Sequence, residues 1–248
     1  MWSPKPFAVV PWPCYGWMVV GLLLQLAWHA AWPPPQARLN PWPEPVPTPW
    51  LRLLSMGEPT ALAKGLMLWL QTFDYQAGVN LTLPELGMDR LEGWLERVLD
   101  LDPRGQYPLL VAVRYYGELT PPAQQRRMGA FAYRRFLEDP QRRWPWLAHA
   151  AITAKHQLHD LPLALRYARA IRQQATGVDV PSWAKQMEIV LLEDMGEWQD
   201  AQYLIGGLLA GGTLTDPQEI RFWSDRLRQL QQRNNAVSSP SGTTRWKY

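Results

Sequence analysis

No Asp, Glu, Lys or Arg lies between Lys5 and Arg38, in a chain that is 19% charged overall. Inside that window Cys14 to Trp32 reads CYGWMVVGLLLQLAWHAAW. As a helix rising ~1.5 Å per residue, this run spans ~28 Å, close to the ~30 Å hydrocarbon core of a bilayer. Trp12 and Trp17 stand near one end and Trp28 and Trp32 near the other, a pattern suited to the two interfaces of a membrane. Residues 14–32 are therefore expected to cross a membrane. A cleaved signal peptide is the competing reading. Lys5 makes a meagre basic n-region for it, and His29 fits poorly beside the small pair Ala30-Ala31. Gln25 and His29, one helical turn apart, are the clearly polar residues of the span and candidates for an intramembrane contact with a partner helix.

The next stretch is built differently. Eight prolines fall between Trp32 and Trp50, which disfavours helix and sheet and favours polyproline II. At ~3.1 Å per residue that stretch reaches up to ~60 Å. The expected organisation is an N-terminal segment 1–13, a span 14–32, a Pro/Trp-rich linker 33–50, a helical domain 51–233 and a disordered tail 234–248. Basic residues flanking the span are too few to orient it by the positive-inside rule. A stalk of this kind suits a domain held off a bacterial inner membrane on the periplasmic side.

Charge excludes one class of partner. The chain carries a formal +3, yet Trp50–Arg233 holds 21 basic and 21 acidic residues, so the excess belongs to the flanks. A neutral domain has no general electrostatic footprint for nucleic acid. Cys14 is the one cysteine, so the domain has no disulfide, Cys-ligated metal or Cys nucleophile.

From Leu51 onward apolar residues recur at spacings of three and four, and no period-2 run stands out. Expected helices are Thr60–Tyr75, Met88–Leu101, Tyr107–Gly117, Ala123–Glu138, Trp146–Leu158, Leu163–Gln174, Ser182–Met195, Trp198–Leu209 and Asp216–Gln232. Prolines punctuate them, Asp89 and Ser182 suit N-caps, and Gly177 and Gly211-Gly212 suit stops. The fold class is all-α. A loose period of 37 separates Asp102-Pro103 from Asp139-Pro140 and Ala164 from Ala201.

GEWQDA (Gly196–Ala201) and WLERVLDLDP (Trp94–Pro103) resemble the turn, second helix and closing proline of the tetratricopeptide (TPR) family. The period departs from the family's ~34, and no unit shows a clean first-helix pattern. Over roughly Met88–Leu209 the resemblance implies antiparallel hairpins stacked as a right-handed TPR-like solenoid. It implies a protein-binding scaffold without intrinsic chemistry. The layout as a whole resembles bacterial inner-membrane assembly factors.

Arg126-Arg127, Arg134-Arg135 and Arg142-Arg143 recur every eight residues beside Trp144 and Trp146. From Arg104 to Arg172 there are 12 basic and 4 acidic residues, while Glu85–Asp102 has six acids and two arginines. Two readings stand. Arg127, Arg134, Arg135, Arg142, Arg143, Trp144 and Trp146 form a basic, aromatic-rimmed face for an anionic partner, or neighbouring hairpins neutralise one another. His149 and His156 lie about 10 Å apart along a helix, too far for one ion, so no metal or cofactor site is expected. No G-x-S-x-G, G-x-x-x-x-G-K or H-E-x-x-H motif occurs, and no catalytic residue is expected. The functional expectation is a membrane-tethered, non-catalytic interaction scaffold whose partners are other envelope proteins and the bilayer. The alternatives are an accessory subunit of a membrane enzyme complex, its span packed within the complex, and an enzyme acting on an envelope polymer.

Overall fold

Proline opens most of the helices. The computed structural model describes residues 11–31, 40–76, 86–118, 120–212 and 214–238, and among these the regular structure is helical, with no strand. Among the described residues eight helices carry proline in their first two positions: α1 (Trp12–Ala31), α2 (Thr48–Leu54), α3 (Pro59–Gln71), α5 (Tyr107–Leu110), α6 (Pro122–Glu138), α7 (Pro140–His156), α8 (Leu161–Gln174) and α11 (Pro217–Ser238). There the missing N–H is no loss, because the first turn has no intrahelical acceptor for it, and the fixed φ is already helical. Residues that punctuate the sequence thus start helices as well as separate them.

One unit contains α1 (Trp12–Ala31), together with Asn40 and Gln76, which exchange two 2.8 Å hydrogen bonds. α1 is long and apolar enough to cross a membrane, and none of its residues is buried. Trp32, at the far end of the expected span, lies outside the described residues.

The second unit begins at Pro41. The expected linker 33–50 thus overlaps this unit from Pro41 onward. Trp42 is fully buried, meeting Tyr116 edge-on at 5.8 Å. Its backbone N–H donates to the Leu86 carbonyl at 3.0 Å, and its own carbonyl accepts from the Arg90 guanidinium at 3.0 Å. The Trp94 indole donates to the Pro43 carbonyl at 2.9 Å, and Arg90 pairs with Glu44 at 2.8 Å. Pro45 packs so closely on Gly93 that a β-carbon there would lie 2.6 Å from its ring. Prolines keep this strap extended, and its side chains and carbonyls tie it to α4 (Met88–Leu101). Burying one Trp removes ~200 Å² from water, or ~5 kcal/mol before entropy costs.

Beyond α5 the chain widens into a π-helical segment, Val111–Tyr116. Sequence periodicity predicts one helix over Tyr107–Gly117 and cannot register this change of winding. α6, α7 and α8 follow, then α9 (Ser182–Met195), α10 (Trp198–Ala210) and α11 (Pro217–Ser238). Each of these packs mainly on its neighbours in the chain, as α6 on α7, α7 on α8 and α8 on α9. α4 and α9 match their expected bounds. α7 starts six residues before the expected Trp146, at Pro140, and carries Pro145 inside the helix. α11 runs to Ser238, past the expected start of the tail at Asn234. Residues 239–248 lie outside the described structure.

Caps also differ from expectation. Gly87 and Pro181 precede α4 and α9, leaving Asp89 and Ser182 inside the first turn. Asp160 is a true side-chain cap, accepting from the Leu163 N–H at 3.0 Å. Gly196 ends α9 at φ 79°, with the Glu197 N–H closing back to the Leu192 carbonyl at 2.9 Å. That glycine opens GEWQDA, and Ala201 and Ala164 are both fully buried where helices meet.

Trp42→Ala is expected to lower unfolding free energy by about 3–5 kcal/mol, read from urea melts of the full-length protein in detergent. Gly93→Ala, which displaces Pro45 but leaves Trp42, is expected to cost less and to expose residues 41–47 to limited proteolysis.

Candidate functional site

The arginine rows face the acids of α4. Arg127 pairs with both Asp89 and Glu92, and Arg134 reaches Glu92 from two turns further along α6. Arg135 lies 3.7 Å from Asp100 and 2.9 Å from Glu138. Arg142 pairs with Asp139 at 2.5 Å. Arg143 is buried, donating to the Arg135 carbonyl at 2.6 Å, Glu138 at 2.7 Å and the Pro103 carbonyl at 2.9 Å. Each of these arginines meets a carboxylate of its own domain, while Arg127, Arg134 and Arg142 keep about half of their side chains exposed. Trp144 stacks edge-on against Trp183 at 5.4 Å, and the Trp146 indole donates to Gln106 at 2.5 Å, so neither stands free as a rim.

The same device recurs further along the chain. Glu188 on α9 is almost wholly buried and accepts from Arg169 at 2.9 Å and Arg172 at 2.6 Å, both on α8. Glu193 holds Arg226 of α11, and Asp194 holds Lys155 of α7 at 2.5 Å. Glu92 and Glu188 each meet two guanidinium partners inside the packing, which offsets the cost of burying a carboxylate.

The histidines do not gather. His149 faces Glu118 at 2.7 Å, while His156 and His159 are exposed. No group of three possible metal ligands exists among the described residues. Gln25 and His29 lie exposed on α1.

Asp74 is the carboxylate most displaced from its ordinary behaviour. It follows α3, and the π-helical segment turns the Tyr116 hydroxyl onto it at 2.9 and 3.0 Å. Burial lifts its pKa from 3.8 to about 6, opposed by the hydrogen bond from Tyr116. Burial and the nearby Asp74 charge push the Tyr116 phenol far up.

An open concave surface lies across α7, α9 and α11. Two adjoining hollows of about 270 and 400 Å³ share Val190, Phe222 and Trp223 as walls. Ile152 of α7 and Trp183 of α9 continue the apolar lining, and Lys155, His156 and Arg226 stand at its margins. Phe222 is 60% exposed and Trp183 54%, a large apolar area for one groove in water. Helical spacing marks Trp183 and Trp223 in the sequence, with core packing as the default. Trp223 is buried as that default has it, whereas Trp183 opens into the groove. Ile152, Val190 and Phe222 carry no sequence signal, since an apolar residue at helical spacing reads equally as core.

The chain matches no protein-family model, no curated protein and no solved structure.

Arg127→Glu with Arg134→Glu strands Glu92 among like charges and is expected to cost about 2–3 kcal/mol in the same urea melts. Asp74 gives a pH signature. Its folded pKa lies above its unfolded value, so the folded state binds the proton more tightly, and stability falls as pH rises from about 4 to about 7. Asp74→Asn is expected to flatten that slope and raise the neutral-pH melting midpoint.

Proposed function

We propose that this chain is a single-pass, membrane-tethered interaction scaffold without catalytic activity of its own. Its helices form a TPR-like right-handed solenoid, and α7, α9 and α11 line the face that receives a partner. The partner is an amphipathic segment of another envelope protein, presenting apolar anchors to Trp183, Val190 and Phe222. The domain works beside a bacterial inner membrane, on the periplasmic side, in the manner of an assembly or accessory factor.

The observation that carries this reading is the contrast between two surfaces. The arginine-rich face meets carboxylates of its own domain, on α4 and at the end of α6, while the α7–α9–α11 groove leaves large apolar side chains open to water. Well-packed binding hot spots are enriched in such aromatic anchors. α1 supplies the tether. Ten residue steps join Ala31 to Pro41, a covalent reach of at most about 36 Å.

The test is photocrosslinking in native membranes from Phe222 and Val190, with Val178 as a control on another exposed stretch. A discrete adduct is expected from the groove positions alone. Val190→Asp with Phe222→Asp is expected to lower recovery of that partner at least about tenfold, with thermal stability unchanged because both side chains are exposed. Equal adducts from all three positions, or recovery indifferent to the double variant, removes the groove. A C-terminal reporter fusion active only in the periplasm is the expected topology result.

A further inference from the structure

α2 presents a second apolar surface, distinct from the groove. Trp50, Leu53 and Leu54 stand at i, i+3 and i+4, so they share one face, and all three are exposed. Leu51 is buried in the core on the other side. The chain then turns with Met56 at φ 47° and Gly57 at φ 95°. The Ser55 hydroxyl donates to the Arg52 carbonyl at 2.6 Å, and the Glu58 N–H donates to the Ser55 carbonyl at 2.8 Å, which fixes the turn. A left-handed methionine is costly backbone, and such strain persists only where the surroundings hold it. Here it leaves Met56 92% exposed.

We infer that α2 and the turn after it dip into the headgroup–acyl boundary of the bilayer that α1 crosses. The composition fits an interfacial element: a tryptophan, two leucines and a methionine outward, with cations alongside. Arg52 and Lys64 are exposed and make no ion pair among the described residues, against one unpaired acid, Glu58. This surplus of positive charge complements anionic headgroups. Connectivity selects a lipid surface over a distant protein. The strap is locked by Trp42, so α2 is the first helix after the tether, and the tether's reach is short. Apolar residues held that near a membrane meet lipid at high effective concentration.

The inference rests on the reading of α1 as a membrane span, and the experiment separates the two. Full-length protein with Cys14→Ser and Met56→Cys is labelled with an environment-sensitive fluorophore. It is reconstituted in vesicles of phosphatidylethanolamine and phosphatidylglycerol, some carrying doxyl quenchers near the headgroups. A matched Val178→Cys protein, whose site is 98% exposed, is the reference. The Met56 probe is expected to shift to the blue and to be quenched, and the Val178 probe to do neither. Leu53→Asp with Leu54→Asp is expected to lower the quenched fraction about tenfold or more, because both lose apolar burial in lipid. Arg52→Glu is expected to weaken quenching in anionic vesicles and not in purely phosphatidylcholine ones. Protein that resists alkaline extraction yet leaves the Met56 probe unquenched overturns the docking and spares the anchor. Protein released by alkali overturns both. Shielding of the probe in native membranes but not in pure lipid overturns the docking in favour of a protein partner. Shielding that grows with protein density overturns it in favour of a second copy.

Discussion

Trp42 sits between three parts of the helical domain, and their arrangement depends on it. It touches α3 through the Leu70 carbonyl, the entry to α4 through Leu86 and Arg90, and the π-helical segment through Tyr116. A tryptophan packed this way contributes several kcal/mol of apolar burial, comparable with the whole net stability of a domain. It also converts half of a proline-rich stretch from a spacer into a structural strap. The prolines help for a simple reason. They remove backbone donors that a strap without sheet or helix partners would leave unsatisfied, and they restrict the unfolded chain.

Electrostatics order the rest of the domain. Glu92 on α4 takes Arg127 and Arg134 from α6, Glu188 on α9 takes Arg169 and Arg172 from α8, and Glu193 on α9 takes Arg226 from α11. Each is a carboxylate on one helix gripped by guanidinium groups from another. Such pairs add modest net energy when their arginines are half exposed. Their larger effect is to penalise wrong neighbours, since a shifted helix would leave a buried carboxylate bare. The four apolar clusters that run from the strap to α11 are thereby held in register.

Much of the helical order was legible in sequence, and particular residues explain the exceptions. α4 and α9 have regular apolar spacing and clear ends, so their bounds agree with expectation. Pro140 reads as a separator between helices, yet it opens α7 six residues before the expected Trp146, since proline is tolerated in a first turn. Asp89 and Ser182 looked like caps, but the backbone enters its helix one or two residues earlier. The π-helical turn at Val111–Tyr116 has no periodic signature, and it is what brings Tyr116 to Asp74. For the site, composition exposed the arginine rows and the acids near them, and left two readings open. Only coordinates showed that Glu92 lies within reach of both Arg127 and Arg134.

By itself the sequence determined that this protein has an uncharged helix able to span a membrane, a proline-rich connection and a charge-balanced helical domain. Those follow from local chemistry: apolar run length, proline's fixed φ, and the counts of acids and bases. Tertiary structure decided which apolar residues become core and which become surface. Trp42 is enclosed, while Trp183, Phe222 and Met56 are open, although all are large apolar side chains. Helical periodicity marks a face but not its partner, because burial depends on which other helix arrives to cover it.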